Sequence, residues 1–143
     1  MYGLKISNGD FSVDASGVPS RVVGAERIKQ ELAAWILEPL GTDPIYPRFG
    51  SQLRGMVGIG VTRDVVGEVR EEILRVVSNY IEYQMSALKR DARFLPGSRV
   101  YAASDIVTEI QNVSVYQEMD VLDVSVTVRL AGGDIINIRQ EMS

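Results

Sequence analysis

The sequence predicts an α+β fold: two main helices followed by a C-terminal three-stranded antiparallel sheet, with an N-terminal arm or short hairpin in front. Two observations predict it. Apolar residues recur at helical spacing from about residue 25 to residue 90, and after residue 105 the period changes to two. The helical segments precede the strand segments without alternating with them, which separates α+β from a parallel βαβ arrangement. A chain of 143 residues with 45% hydrophobic and 24% charged residues suits one domain with one core. That domain is read as 1–143, with 1–23 as the arm.

In the arm, "LKIS" and "FSVD" alternate apolar and polar residues on either side of Asn8-Gly9, a hairpin turn signal. Asp14, Ser16, Gly17 and Pro19 mark a second turn. The first helix is expected over about Ala25–Leu37, with Ile28, Leu32, Trp35 and Ile36 on one face. Pro39 ends it, because the residue before a proline is pushed out of the α region. Trp35, the single tryptophan, reads as a core anchor. Residues 39–61 form a long connection, within which Ser51 is expected to cap a short helical turn from Leu53 to Val57.

The second helix is expected over about Arg63–Arg90, with Thr62 as N-cap and Asp64 in its first turn. Val66, Val69, Ile73, Val76, Val77, Tyr80, Ile81 and Leu88 form its stripe, read as an apolar face without polar interruption. "RFLPGSRVYAASD" is a loop with a Pro-Gly turn. Ile106, Thr108 and Ile110 then alternate in one parity, Val113 and Val115 in the other, so a β-bulge is expected at Gln111-Asn112. "VLDVSVTVRL" puts Leu122, Val124, Val126, Val128 and Leu130 on one face; "AGGD" turns the chain, and "IINIRQ" returns as the last strand.

Composition removes several chemistries. There is no cysteine, which excludes disulfides, thiolate nucleophiles and cysteine-based zinc sites. There is no histidine, which removes the usual general base and the commonest transition-metal ligand. A net charge of −4 argues against a nonspecific grip on nucleic acid. Basic residues cluster between Arg63 and Arg99, but acidic residues are interleaved there, as on a solvated helix face. No apolar run is long enough to span a bilayer, and "MYGLKISNGDFSVD" lacks the basic and apolar regions of a signal peptide. "GMVGIG" is not a phosphate loop, since no Lys follows its last glycine. No calcium-loop pattern occurs either. Neither a cofactor nor a metal is expected.

A carboxylate hydrolase could be assembled from Glu38, Asp43, Glu109, Asp120, Asp123 and Asp134, but it needs a cleft lined with aromatics. With one tryptophan, six tyrosines and three phenylalanines, several of them assigned to the core, no such cleft is expected. An interaction module is the better reading. A three-stranded sheet has edges, and an edge can accept a strand from another chain. The candidate edge is the last strand: Ile135, Ile136, Asn137, Ile138, Arg139 and Gln140.

"DPIYPRFGSQLRGMVG", residues 43–58, mixes turn residues with apolar ones. With "PLGT" before it, it resembles the baseplate wedge or sheath-initiator family of contractile phage tails, whose relatives include the TssE component of type VI secretion. The matching residues are Ile28, Leu32, Gly41, Thr42, Pro44, Pro47, Phe49, Gly50, Ser51 and Leu53. The order of elements fits along nearly the whole chain. The family's Glu-Pro-Arg signature is missing: "ASDIVTEIQNVSV" stands there, and 89–104 is longer than usual. That site is not carried over.

The resemblance implies a non-enzymatic structural component of the virion tail baseplate, assembled in the host cytoplasm. Its implied partners are wedge proteins, tail sheath subunits and tail hub or tube proteins, with six copies per baseplate and neither nucleic acid nor membrane. Tyr46, Pro47, Arg48, Phe49, Gly50, Ser51 and Leu53 are expected to lock the loop and dock neighbouring wedge chains. Within that set, Phe49 and Leu53 are expected to point inward, and Tyr46 and Arg48 to face a partner. The last strand is expected to take the first sheath strand, so deleting 134–143 should weaken sheath capture without unfolding the core. The alternatives are a lysozyme-type hydrolase, a label some members carry, and another tail or connector adaptor.

Overall fold

In a computed structural model, described over residues 3–7, 10–11, 21–57, 63–95, 98–118 and 121–142, the two main helices lie where the apolar periodicity puts them. Helix α1 spans Gly24–Leu37 and buries Ile28, Leu32, Trp35 and Ile36. It stops at Glu38, whose backbone is extended as the following Pro39 requires. A single turn, α2, covers Leu53–Met56. Helix α3 runs Arg63–Arg90, 28 residues and so roughly 42 Å long.

The buried stripe of α3 is not wholly apolar. Val65, Val69, Ile73, Val76, Val77, Tyr80 and Ala87 are joined in it by Glu72 and Gln84. Both polar groups are satisfied. Gln84 donates to the Tyr80 hydroxyl at 3.3 Å and the Asp105 carbonyl at 3.2 Å, and accepts from the Val107 N–H at 2.9 Å. The interruption is thus a tie that fixes the start of the sheet on the helix.

The sheet is a meander of β5 (Val107–Glu118), β6 (Val121–Leu130) and β7 (Ile135–Met142), in that spatial order. Its inner face carries Val113, Leu122, Val124, Val126, Val128, Leu130, Ile136, Ile138 and Met142. Helix α1 lies against β7 and α3 against β5, which gives two layers around one core. The α+β class is therefore as the sequence predicts.

Strand β5 carries the expected irregularity between Ile110 and Asn112, and a second one between Val107 and Glu109. The second shift buries Val107 and turns Thr108 outward, so Ile106, Thr108 and Ile110 do not share a face. Between β6 and β7 the chain turns at Ala131–Asp134. Gly133 has a φ of +97°, and Gly132 N–H donates to the Ser104 carbonyl at 2.9 Å, which ties the turn to a 3-10 turn at Ala103–Asp105.

The arm forms two small antiparallel pairs: β1 (Gly3–Leu4) with β4 (Arg21–Val22), and β2 (Ile6–Ser7) with β3 (Asp10–Phe11). "LKIS" is therefore split between two pairings and is not one strand. The Ile6 N–H donates to Gln30 Oε1 at 2.9 Å, which ties the arm to α1. The expected turns at Asn8-Gly9, at 14–19 and at Pro96-Gly97, and the Thr62 cap, fall outside the described residues.

Candidate functional site

The loop between α1 and α2 is closed by backbone contacts. Leu40 N–H donates to the Ser51 carbonyl at 3.0 Å, and Ser51 N–H to the Glu38 carbonyl at 2.8 Å. Gly50 makes this approach possible: its φ is +101°, and a Cβ there would lie 2.6 Å from the Glu38 carbonyl oxygen. The Ser51 hydroxyl donates to the Ile36 carbonyl, at the end of α1, and stands 3.4 Å from the Leu53 N–H. It serves mainly the end of the first helix and only weakly the start of α2, a change from the expected cap.

Glu72 holds the far side of the same loop. Its carboxylate accepts from the Gln52 N–H at 2.8 Å and pairs with Arg75, which also reaches the Gly50 carbonyl at 3.3 Å. Burial pushes the Glu72 carboxyl up, but hydrogen bonds from Arg75 and Gln52 outweigh it and hold the group below its ordinary value.

Between the loop, α1 and α3 lies an open groove of about 590 Å³. Its aromatic lining is Trp35, Tyr46, Phe49, Tyr83 and Tyr101. The rings meet edge to face: Trp35 lies 5.6 Å from Tyr46 and 5.1 Å from Phe49, and Tyr46 lies 5.2 Å from Tyr83, centroid to centroid. This overturns the expectation that no aromatic-lined cleft exists. The rings come from four separated segments, so no local motif announces the groove. The nearest signal is Tyr83, which stands three residues after Tyr80 and off the predicted stripe.

Glu31, at the edge of that groove, is a hub. It accepts from the Tyr80 hydroxyl at 2.7 Å, the Tyr101 hydroxyl at 2.5 Å and Arg27 Nε at 2.8 Å. Burial, and then the Glu31 charge, push the Tyr80 and Tyr101 phenols far above the usual tyrosine range. Asp43 binds its own loop: Oδ1 accepts the Ile45 and Tyr46 N–H groups at 2.8 and 3.1 Å.

The second candidate surface is the sheet edge. β7 pairs with β6 on one side, and among the described residues no strand pairs with its other side. Ile135, Asn137 and Arg139 are exposed and Gln140 is half-buried, while Ile136 and Ile138 point into the core. Arg139 makes bonds of 3.1 Å from Nε to both Asp123 carboxylate oxygens and lies 3.6 Å from Glu141. The hydrogen bond from Arg139 holds the Asp123 carboxyl below its usual range.

The predicted interface residues therefore divide. Pro47 and Arg48 are exposed, and Arg48 pairs with Glu82 at 3.1 Å. Tyr46 and Phe49 are half-buried in the groove wall. Gly50, Ser51 and Leu53 are buried in the chain's own core, as are the side chains of Ile136 and Ile138. These five cannot offer side chains to a partner; they hold the surfaces that can.

Among the described residues no helix is long and apolar enough to cross a membrane, and no group of three or more acidic residues is placed to hold a metal ion. The chain matches no protein-family model and no curated protein.

Proposed function

We propose that this protein is a non-enzymatic structural component of a contractile-tail baseplate, which joins the wedge complex and nucleates the sheath by accepting a strand. The observation that carries the reading is β7, an eight-residue strand at the edge of the meander with one side unpaired among the described residues. Such an edge offers backbone donors and acceptors in register for another chain. The loop resemblance at Pro47, Phe49, Gly50, Ser51 and Leu53 is the support for the proposed partners: wedge proteins, sheath subunits and the tail hub or tube, in six copies on the virion. The loop acts as a clasp that seats α2 and shapes the groove.

The test is co-purification with sheath and wedge proteins. Deleting 134–143 is unsuitable, because Ile136, Ile138 and Met142 belong to the core. Proline at Asn137 and, separately, at Gln140 is better, because the two positions have opposite parity along β7. Successive residues of a strand point their N–H groups to opposite sides, so one variant breaks the ladder to β6 and the other removes an outward donor; proline at Asn137 also removes its side-chain bonds to Ser125 and Thr127, for which Asn137→Ala is the control. The variant that keeps its fold should lose sheath capture. Full capture by that variant would sink the strand-addition reading.

A carboxylate hydrolase of the tail-lysozyme type is the second reading, and the aromatic groove beside Glu31 and Asp43 is the observation in its favour. Against it, the Glu31 carboxylate is engaged by three donors, and Asp43 by two backbone N–H groups. Incubation with peptidoglycan should release nothing. Turnover lost in Glu31→Gln or Asp43→Asn would establish the hydrolase instead.

A further inference from the structure

The groove has a property that the strand-addition reading does not use. Trp35 and Tyr101 are almost fully buried and form its floor, while Tyr46, Phe49 and Tyr83 are half-exposed. Ile45, at its lip, is 91% exposed. Three charged residues line it, and two are already matched: Glu31 pairs with Arg27, and Arg90 with Asp91. Asp43 has no counter-ion among the described residues; only its Oδ1 is used, by the two loop N–H groups. The groove therefore presents aromatic faces, one uncompensated negative charge and an adjacent bare aliphatic side chain.

We propose that this groove is a second docking site, for a protein segment that lays one basic side chain over Tyr46 and Tyr83 beside Asp43 and sets an apolar neighbour against Ile45. A guanidinium or ammonium group is drawn to an aromatic face by the ring quadrupole, and more strongly where water is partly excluded. The molecule already contains one such contact at the groove floor, with the Arg27 guanidinium 4.9 Å from the Tyr101 ring centroid. Arginine suits the site better than lysine, because its planar group stacks on a ring while its N–H groups reach a carboxylate. An unpaired carboxylate repels phosphate, which disfavours a nucleic acid or an anionic lipid surface here. No strand of the sheet lines the groove, so this site and the β7 edge can be occupied together and tested apart.

Trp35 is the only tryptophan and lines the groove, so its indole N–H resonance and its fluorescence report occupancy. The probes are two peptides, acetyl-Gly-Leu-Pro-Arg-Leu-Gly-amide and the same peptide with citrulline, the neutral isostere, in place of arginine. Each is titrated into the full chain and into Asp43→Asn, whose side-chain oxygen can still accept the loop N–H groups. The arginine peptide should give a saturable shift, bound about fivefold more tightly than the citrulline peptide. Asp43→Asn should bring arginine binding down to the citrulline level and leave citrulline binding unchanged, which isolates the charge pair. The proposal is overturned by no saturable shift up to about 10 mM peptide, by equal binding of the two peptides to the parent chain, or by an unchanged preference in Asp43→Asn. None of these outcomes depends on whether β7 captures a sheath strand.

Discussion

Gly50 lies directly against Glu38: a Cβ at position 50 would stand 2.6 Å from the Glu38 carbonyl oxygen, which itself accepts the Ser51 N–H. Side-chain-free backbone at this point is what lets the loop close. Gly50→Ala meets both the left-handed φ and a backbone wall that cannot move aside, so it should cost at least about 2 kcal/mol. Chemical denaturation of the variant checks this, with Gly55→Ala as control, since nothing lies within 4 Å of a Cβ there.

Gln84 joins α3 to the first strand of the sheet through the Val107 N–H and the Asp105 carbonyl. Gln84→Leu keeps the volume but removes the partner of the buried Val107 N–H and of the part-buried Asp105 carbonyl, at a cost of about 1–3 kcal/mol. Amide exchange at Val107 should accelerate more than exchange in the middle of β6.

Gln84 also marks the limit of what local sequence pattern carries. The extents of α1 and α3, the meander and the bulge at Ile110–Asn112 are all visible in local periodicity. A helical stripe is assigned from hydropathy, however, so a buried amide within it looks like a break or a surface residue. The second shift in β5, at Val107–Glu109, begins at the residue that meets Gln84, a partner distant in sequence, and leaves no local signal. The loop residues Tyr46, Phe49 and Gly50 are legible as part of a clasp, yet their division between core and surface follows from contacts with Tyr83, Trp35 and Glu38, all outside the loop. The groove was invisible for the same reason.

Glu72 makes stability depend on pH. Its folded-state pKa lies below the ordinary glutamate value of 4.5. The unfolded chain therefore takes up a proton first as pH falls. The contribution is fully present above that ordinary value and is lost as pH falls below it and through the folded value. Glu72→Gln should lower stability at pH 7 and flatten the acid limb of the stability profile. Arg75→Met should do the same, with a loss at pH 7 of about 1–3 kcal/mol from removing charge-assisted bonds. Denaturation series between about pH 3 and pH 7 would show it.

Gln117 is buried on the inner side of β5, and its amide nitrogen and oxygen have no hydrogen-bond partner among the described residues. A buried amide without partners is costly. Gln117→Leu should therefore stabilise the fold, by about 1 kcal/mol, where most buried polar substitutions would harm it. A thermal melt decides between the two signs.

On the proposed function, β7 receives a strand from the tail sheath. Amide hydrogen exchange across Ile135–Met142, with and without purified sheath subunits, tests it most directly. The outward amides of β7 should exchange quickly in the free protein and become protected when the sheath subunit binds, while protection in β6 stays as it was. A sheath complex that forms and leaves exchange across Ile135–Met142 unchanged would contradict strand addition at β7.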